Sequence, residues 1–80
     1  MPTIDQAVKA LDNGHRDEAR RILTLILADD SRNVNALLWM AVASDLTDER
    51  RKWLHRVLRI DPDNPHALKG LEALGPMAQT

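Results

Sequence analysis

Apolar residues recur at helical spacing in five separate runs, each closed by residues that end a helix. Ile4, Ala7, Val8 and Leu11 stand at i, i+3, i+4 and i+7, the spacing that lines one face of an α-helix. Thr3 before them predicts an N-cap, completed as a capping box by Gln6, and Gly14 after them suits a left-handed C-terminal turn. The second run is Ala19, Ile22, Leu23 and Ile26. It opens with Asp17-Glu18, acids that favour the positive end of a helix dipole, and it ends in Asp30-Ser31-Arg32-Asn33. Asn33 predicts the cap of the third helix, whose stripe is Val34, Leu37, Leu38 and Ala41. Trp39, Met40 and Val42 make that helix apolar nearly all round, so it is expected at the middle of the packing and to be the most buried.

The fourth run is Trp53, Leu54, Val57 and Leu58, with Thr47 expected as its N-cap and Asp48-Glu49 in its first turn. Asp61-Pro62 stops it, because the residue before a proline is driven out of the α region. The fifth is Ala67, Leu68, Leu71 and Leu74, capped by Asn64 with Pro65 at the first helical position. Gly70 in mid-helix costs about 1 kcal/mol against alanine, and Gly75-Pro76 closes the run. Residues 77–80 read as a flexible tail, so one domain is expected over 1–76.

The chain also repeats itself. A shift of 31 residues lays Asp17-Glu18-x-Arg20 on Asp48-Glu49-x-Arg51, Leu23 on Leu54 and Leu27 on Leu58. The same shift lays Asp30 on Asp61, Asn33 on Asn64 and Ala36-Leu37 on Ala67-Leu68, too many identities for coincidence. A shift of 34 instead lays Ala7-Val8 on Ala41-Val42 and Ile4 on Leu38. The difference of three residues predicts a second hairpin turn, Ser44 to Thr47, shorter than its counterpart around Asp12 to Arg16.

A helix–turn–helix unit of this length with a small residue midway in its first helix resembles the tetratricopeptide repeat (TPR). Ala7 and Ala41 hold the small position. Gly14-x-x-Asp17-Glu18-Ala19 is similar to the family's turn and following alanine, and Leu58 to Pro65 is similar to its repeat ending. The sequence departs from the pattern at Thr3 and Leu37, where the family has a large aromatic, at Arg50, where it has alanine, and at Ser31, where it has proline. The resemblance implies an all-α, right-handed stack of antiparallel helix hairpins. Two TPR-like repeats, about 3–33 and 34–63, would be followed by a C-terminal capping helix, about 64–75.

Composition narrows the function classes. Leu and Ala dominate, Tyr, Phe and Cys are absent, and Trp39 and Trp53 are the aromatic residues. No thiolate zinc site, disulfide or cysteine nucleophile is available. Ser31 and Ser44 lack a histidine and an acid at triad distances, and His15, His55 and His66 share no metal-binding face. Gly14, Gly70 and Gly75 read as helix punctuation rather than a phosphate loop. No catalytic residue, cofactor or metal is therefore expected. The Met1 to Asp5 segment has no signal-peptide character, and the apolar run Ala36 to Ala43 is far below the ~20 residues that span a bilayer. A cytoplasmic protein that does not enter membranes is the expectation.

Two surfaces remain as candidate sites. Asp17 with Arg20 and Arg21, and Asp48 with Lys52, read as solvated ion pairs. Beyond them Arg51, Lys52, His55, Arg56 and Arg59 form a basic stripe on the fourth helix, which suits nucleic acid or an acidic surface. The formal net charge of −1 disfavours nucleic acid. The other surface is the concave face that the resemblance implies: Ile4 and Val8 from the first helix, Asn35, Leu38 and Val42 from the third, and His66, Lys69 and Ala73 from the fifth. The groove that holds a peptide's terminal carboxylate in some family members needs paired Asn and Lys or Arg at these positions, and of that set only Asn35 and Lys69 are present, so the resemblance does not extend to that activity. The strip Ile4, Val8, Leu38 and Val42 serves either to complete a small core or to dock an amphipathic helix or a second copy. The expected function is a non-enzymatic protein–protein interaction module that forms a homodimer through helices one and three.

Overall fold

The computed structural model describes residues 1–75. Five helices make up the fold: α1 (Ile4–Asp12), α2 (Arg16–Asp29), α3 (Val34–Ala43), α4 (Thr47–Ile60) and α5 (Pro65–Leu74). No strand occurs among the described residues. Pro76 and the expected tail at 77–80 lie outside them. Each helix packs on the next in the chain, and α1 also meets α3. The short connections reverse the chain each time, as in any αα-hairpin. The extents of 40 × 25 × 18 Å leave room for two helices across the thin direction. Helices α1, α3 and α5 form one layer, with α2 and α4 on the other.

Local chemistry sets most of the helix starts. The Thr3 side chain accepts from the Gln6 N–H at 3.2 Å, and the Gln6 side chain accepts from the Thr3 N–H at 3.1 Å, closing the capping box. Asn33 Oδ1 accepts from the Ala36 N–H at 3.0 Å, and Asn64 Oδ1 from the Ala67 N–H at 2.9 Å. Gly14 turns the first hairpin at φ +79°, a backbone that a Cβ would strain.

The 31-residue repeat is structural as well as sequential. Adding 31 to the bounds of α2 and α3 gives those of α4 and α5. Asp30 and Asp61 leave their helices with near-identical backbone, φ −142° and ψ 89° against φ −135° and ψ 87°. The expected short second turn is absent. The connections Asn13–His15 and Ser44–Leu46 each hold three residues, counted between the helix bounds. The 34-residue offset matched residues one helical turn out of step, and such a slip leaves an apolar stripe on the same face.

Three further expectations change. Leu46, not Thr47, is the N-cap of α4, and no side chain caps that helix. The expected pairs Asp17 with Arg20 or Arg21 and Asp48 with Lys52 do not form. The ion pairs among the described residues are His15–Glu18 at 3.8 Å, Arg16–Asp45, and Arg20–Glu49 at 3.4 Å. Arg16–Asp45 joins α2 to the turn before α4, and Arg20–Glu49 joins α2 to α4. Gly70 is a packing residue rather than punctuation, since a Cβ there would lie 2.9 Å from Leu54 Cδ1. The glycine lets α5 lie close on α4.

Helix α3 carries the centre of the core. Ala36, Leu37, Met40, Ala41 and Ala43 are buried on it, more than on any other helix. Around them close Ala7, Ala10, Ala19, Leu23, Leu27, Leu54, Val57 and Ala67. Two outcomes are expected in urea unfolding. Asn33→Ala and Asn64→Ala each cost about 1 kcal/mol by loss of a cap, whereas Thr47→Ala changes stability by less than ~0.5 kcal/mol. Leu37→Ala, at a site with no solvent exposure, costs about 2–5 kcal/mol through the cavity it leaves.

Candidate functional site

A groove of about 510 Å³ opens between α3 and α5, floored by α4. Asn35, Leu38, Trp39, Ala41 and Val42 come from α3, His66, Gly70, Ala73 and Leu74 from α5, and Arg50 and Leu54 from α4. The helical period explains the α3 wall: positions 35, 38, 39 and 42 fall on one face. Leu38 and Trp39 lean partly on the core. Val42 is 52% exposed, and Leu46, one turn further along the chain, is 62% exposed. The groove is thus apolar along its length, with three polar side chains set into it.

Arg50 is the most constrained of these three. Its Nε donates to the Ser44 carbonyl at 2.7 Å, at the C-terminal end of α3, where a cation offsets the helix dipole. Ser44 is fully buried, and its Oγ donates back to the Met40 carbonyl at 2.8 Å. The third hairpin helix end, the turn and the arginine therefore hold one another. Among the described residues no carboxylate lines the groove.

The concave residues expected from the sequence divide. Asn35, Leu38, Val42 and His66 line the groove, as does Ala73. Ile4 and Val8 lie on α1, outside its walls; Ile4 is half-buried against the chain's own core. Lys69 is exposed on α5 and is also outside the walls. Trp39, Ala41, Arg50, Leu54, Gly70 and Leu74 were not anticipated as groove residues. The signal for Arg50 was present, as the break in the alanine pattern.

The basic stripe is dispersed by its partners. Arg51 donates to the Gly75 carbonyl at 2.9 Å and to the Leu74 carbonyl at 3.4 Å, fastening the end of α5 to the start of α4. Arg56 lies over the Trp53 ring, 5.0 Å from its centre, a cation–π contact. Arg20 is tied to Glu49, so an acid stands between the arginines of α2 and the stripe. A shallow cleft of about 200 Å³ between α2 and α4 is lined by Arg20, Glu49, Lys52, Trp53 and Arg56. Lys52, His55 and Arg59 are exposed on α4.

Among the described residues no helix is long and apolar enough to cross a membrane. No three His, Asp or Glu side chains stand close enough to hold a metal ion. No family model, curated protein or solved structure matches the chain.

The Arg51 contacts generate a stability prediction. Arg51→Ala is expected to cost about 1 kcal/mol by freeing the last carbonyls of α5. Arg59→Ala, exposed on the same helix, is expected to stay within ~0.5 kcal/mol. Urea unfolding of the two variants side by side checks the difference.

Proposed function

We propose that this domain is a non-enzymatic protein–protein interaction module, a TPR-like helical stack whose groove docks a partner's amphipathic helix. The observation that carries the reading is the 510 Å³ apolar groove between α3 and α5. A trough bounded by two helices and floored by a third accepts a further helix by the ridge-and-groove packing that joins α3 to α4. The TPR-like assignment rests on the small buried pair Ala10 and Ala41, 6% and 4% exposed, which the 31-residue register equates in the two first helices, on the Gly14 turn, and on the repeated Asp-x-x-Asn joints.

The partner helix belongs to a different protein. Each helix of this chain already commits its apolar stripe to its own core. The large apolar side chains that remain exposed are scattered: Met1, Leu25, Val42, Leu46 and Leu68. A second copy is the competing occupant. Val42 favours it, since it stands open on the groove wall. The basic residues of α4 support the nucleic-acid reading less well, since Arg51 and Arg56 are engaged within the chain.

A displayed library of helical peptides, with leucines fixed along one face and flanking positions randomised, tests the docking. Val42 and Ala73 are exposed groove walls, so Val42→Asp and Ala73→Asp keep the fold while placing charge in the trough. Enriched peptides are expected to bind at least ~10-fold more weakly to either variant. Failure of the library to enrich, or enrichment indifferent to both substitutions, overturns the reading. Sedimentation resolves the occupant. A monomer at ~100 µM is expected, whereas a dimer dispersed by Val42→Asp makes the second copy the ligand.

A further inference from the structure

The repeat register places Arg50 of α4 where α2 has Ala19, which is fully buried. At the first junction, α1 and α3 meet one another. At the second, Arg50 stands between α3 and α5, and the space there is the groove. The arginine is held from one side only. Its Nε is spent on the Ser44 carbonyl at 2.7 Å. Among the described residues no carboxylate pairs with its guanidinium. Arg50 lines the trough together with Leu54 and Leu74, and Asn35 and His66 are the other polar walls.

From this, and resting on the docking reading above, we propose that Arg50 is the specificity-determining residue of the groove. It selects a partner helix that carries an aspartate or glutamate beside its apolar face. The physical case is charge complementarity. Every polar wall of the groove is a potential donor, none is an acid, and the guanidinium is already oriented by its own turn. A carboxylate arriving on a helix meets a cation whose rotamer entropy has been spent in folding. An apolar partner helix seated between the walls would displace water from the pair and strengthen it. The chain's net charge of −1 gives no general attraction for acids, so the preference is local to this position.

The same displayed library reads the preference directly. Peptides selected on the unaltered domain are expected to carry an acid at one fixed position next to the leucine face. Changing that acid to its amide is expected to weaken binding roughly ten-fold. Arg50→Gln, which keeps a donor near the Ser44 carbonyl, is expected to erase the difference between the acidic peptide and its amide. A purely structural Arg50 would leave that ratio unchanged, whatever happens to stability. Peptides that bind the groove with no acid preference overturn the inference and leave docking intact. So do peptides whose preference lies in a free terminal carboxylate rather than a side chain. If no peptide is sensitive to Val42→Asp or Ala73→Asp, docking itself fails and the inference fails with it. The acid-to-amide comparison on the unaltered domain decides the matter even if Arg50→Gln unfolds.

Discussion

Close approach of helix backbones through alanine is the constraint on which the rest of the structure depends. Among the described residues, seven of the thirteen buried apolar side chains are alanines: Ala7, Ala10, Ala19, Ala36, Ala41, Ala43 and Ala67. A buried alanine removes little area from water, so its contribution is geometric. It brings two helices near enough for Leu23, Leu37 and Val57, all fully buried, to fill the remaining space at interior density. Gly70 extends the same device to the last hairpin, where it admits Leu54. Larger residues at these crossings would hold the helices apart and leave voids that so short a chain has little stability to spare for.

The loops follow from that packing. In a stack set by close crossings, the connections must deliver each helix at a fixed place. Asp30 and Asp61 end α2 and α4 with closely similar backbone, and Asn33 and Asn64 start the next helix with matching side-chain caps. The hairpin turns solve their task in different ways. Gly14 uses positive φ, whereas the Ser44–Leu46 turn stays extended and is tied by Arg50 to the end of α3. A cation there replaces what glycine does in the first hairpin, and it brings the side chain to the groove.

Helix positions were legible in the sequence because spacing, caps and breakers agree along the chain. The central place of α3 was legible too, from its apolar girth. Ion pairs were less so. Sequence neighbours such as Asp48 and Lys52 are attractive on an isolated helix, but packing carries Glu49 of α4 to Arg20 of α2, and Asp45 of the second hairpin turn to Arg16. The turn length was misread because helical periodicity hides a slip of one turn. Half of the groove was legible, namely Asn35, Leu38, Val42, His66 and Ala73, since these share the face that first helices present. Its floor was not. Leu54 and Gly70 read as core and punctuation, because a sequence pattern does not tell which buried face borders a gap.

The gap itself has a cause in the pattern. Repeats carry their stability in positions that recur, so a position that departs from the repeat is the place where something other than packing was specified. Ala19 and Arg50 are such a pair. Where α2 has a buried alanine, α1 and α3 are in contact; where α4 has arginine, a trough lies between α3 and α5. A half-buried guanidinium is a costly filler for a junction that alanine closes elsewhere, because desolvating it is compensated only in part by one carbonyl. An incoming carboxylate would complete that compensation. Arg50 thus belongs to both turn and groove: its Nε holds the Ser44 carbonyl at the end of α3, and its side chain lines the trough between α3 and α5, where the proposed carboxylate would meet it.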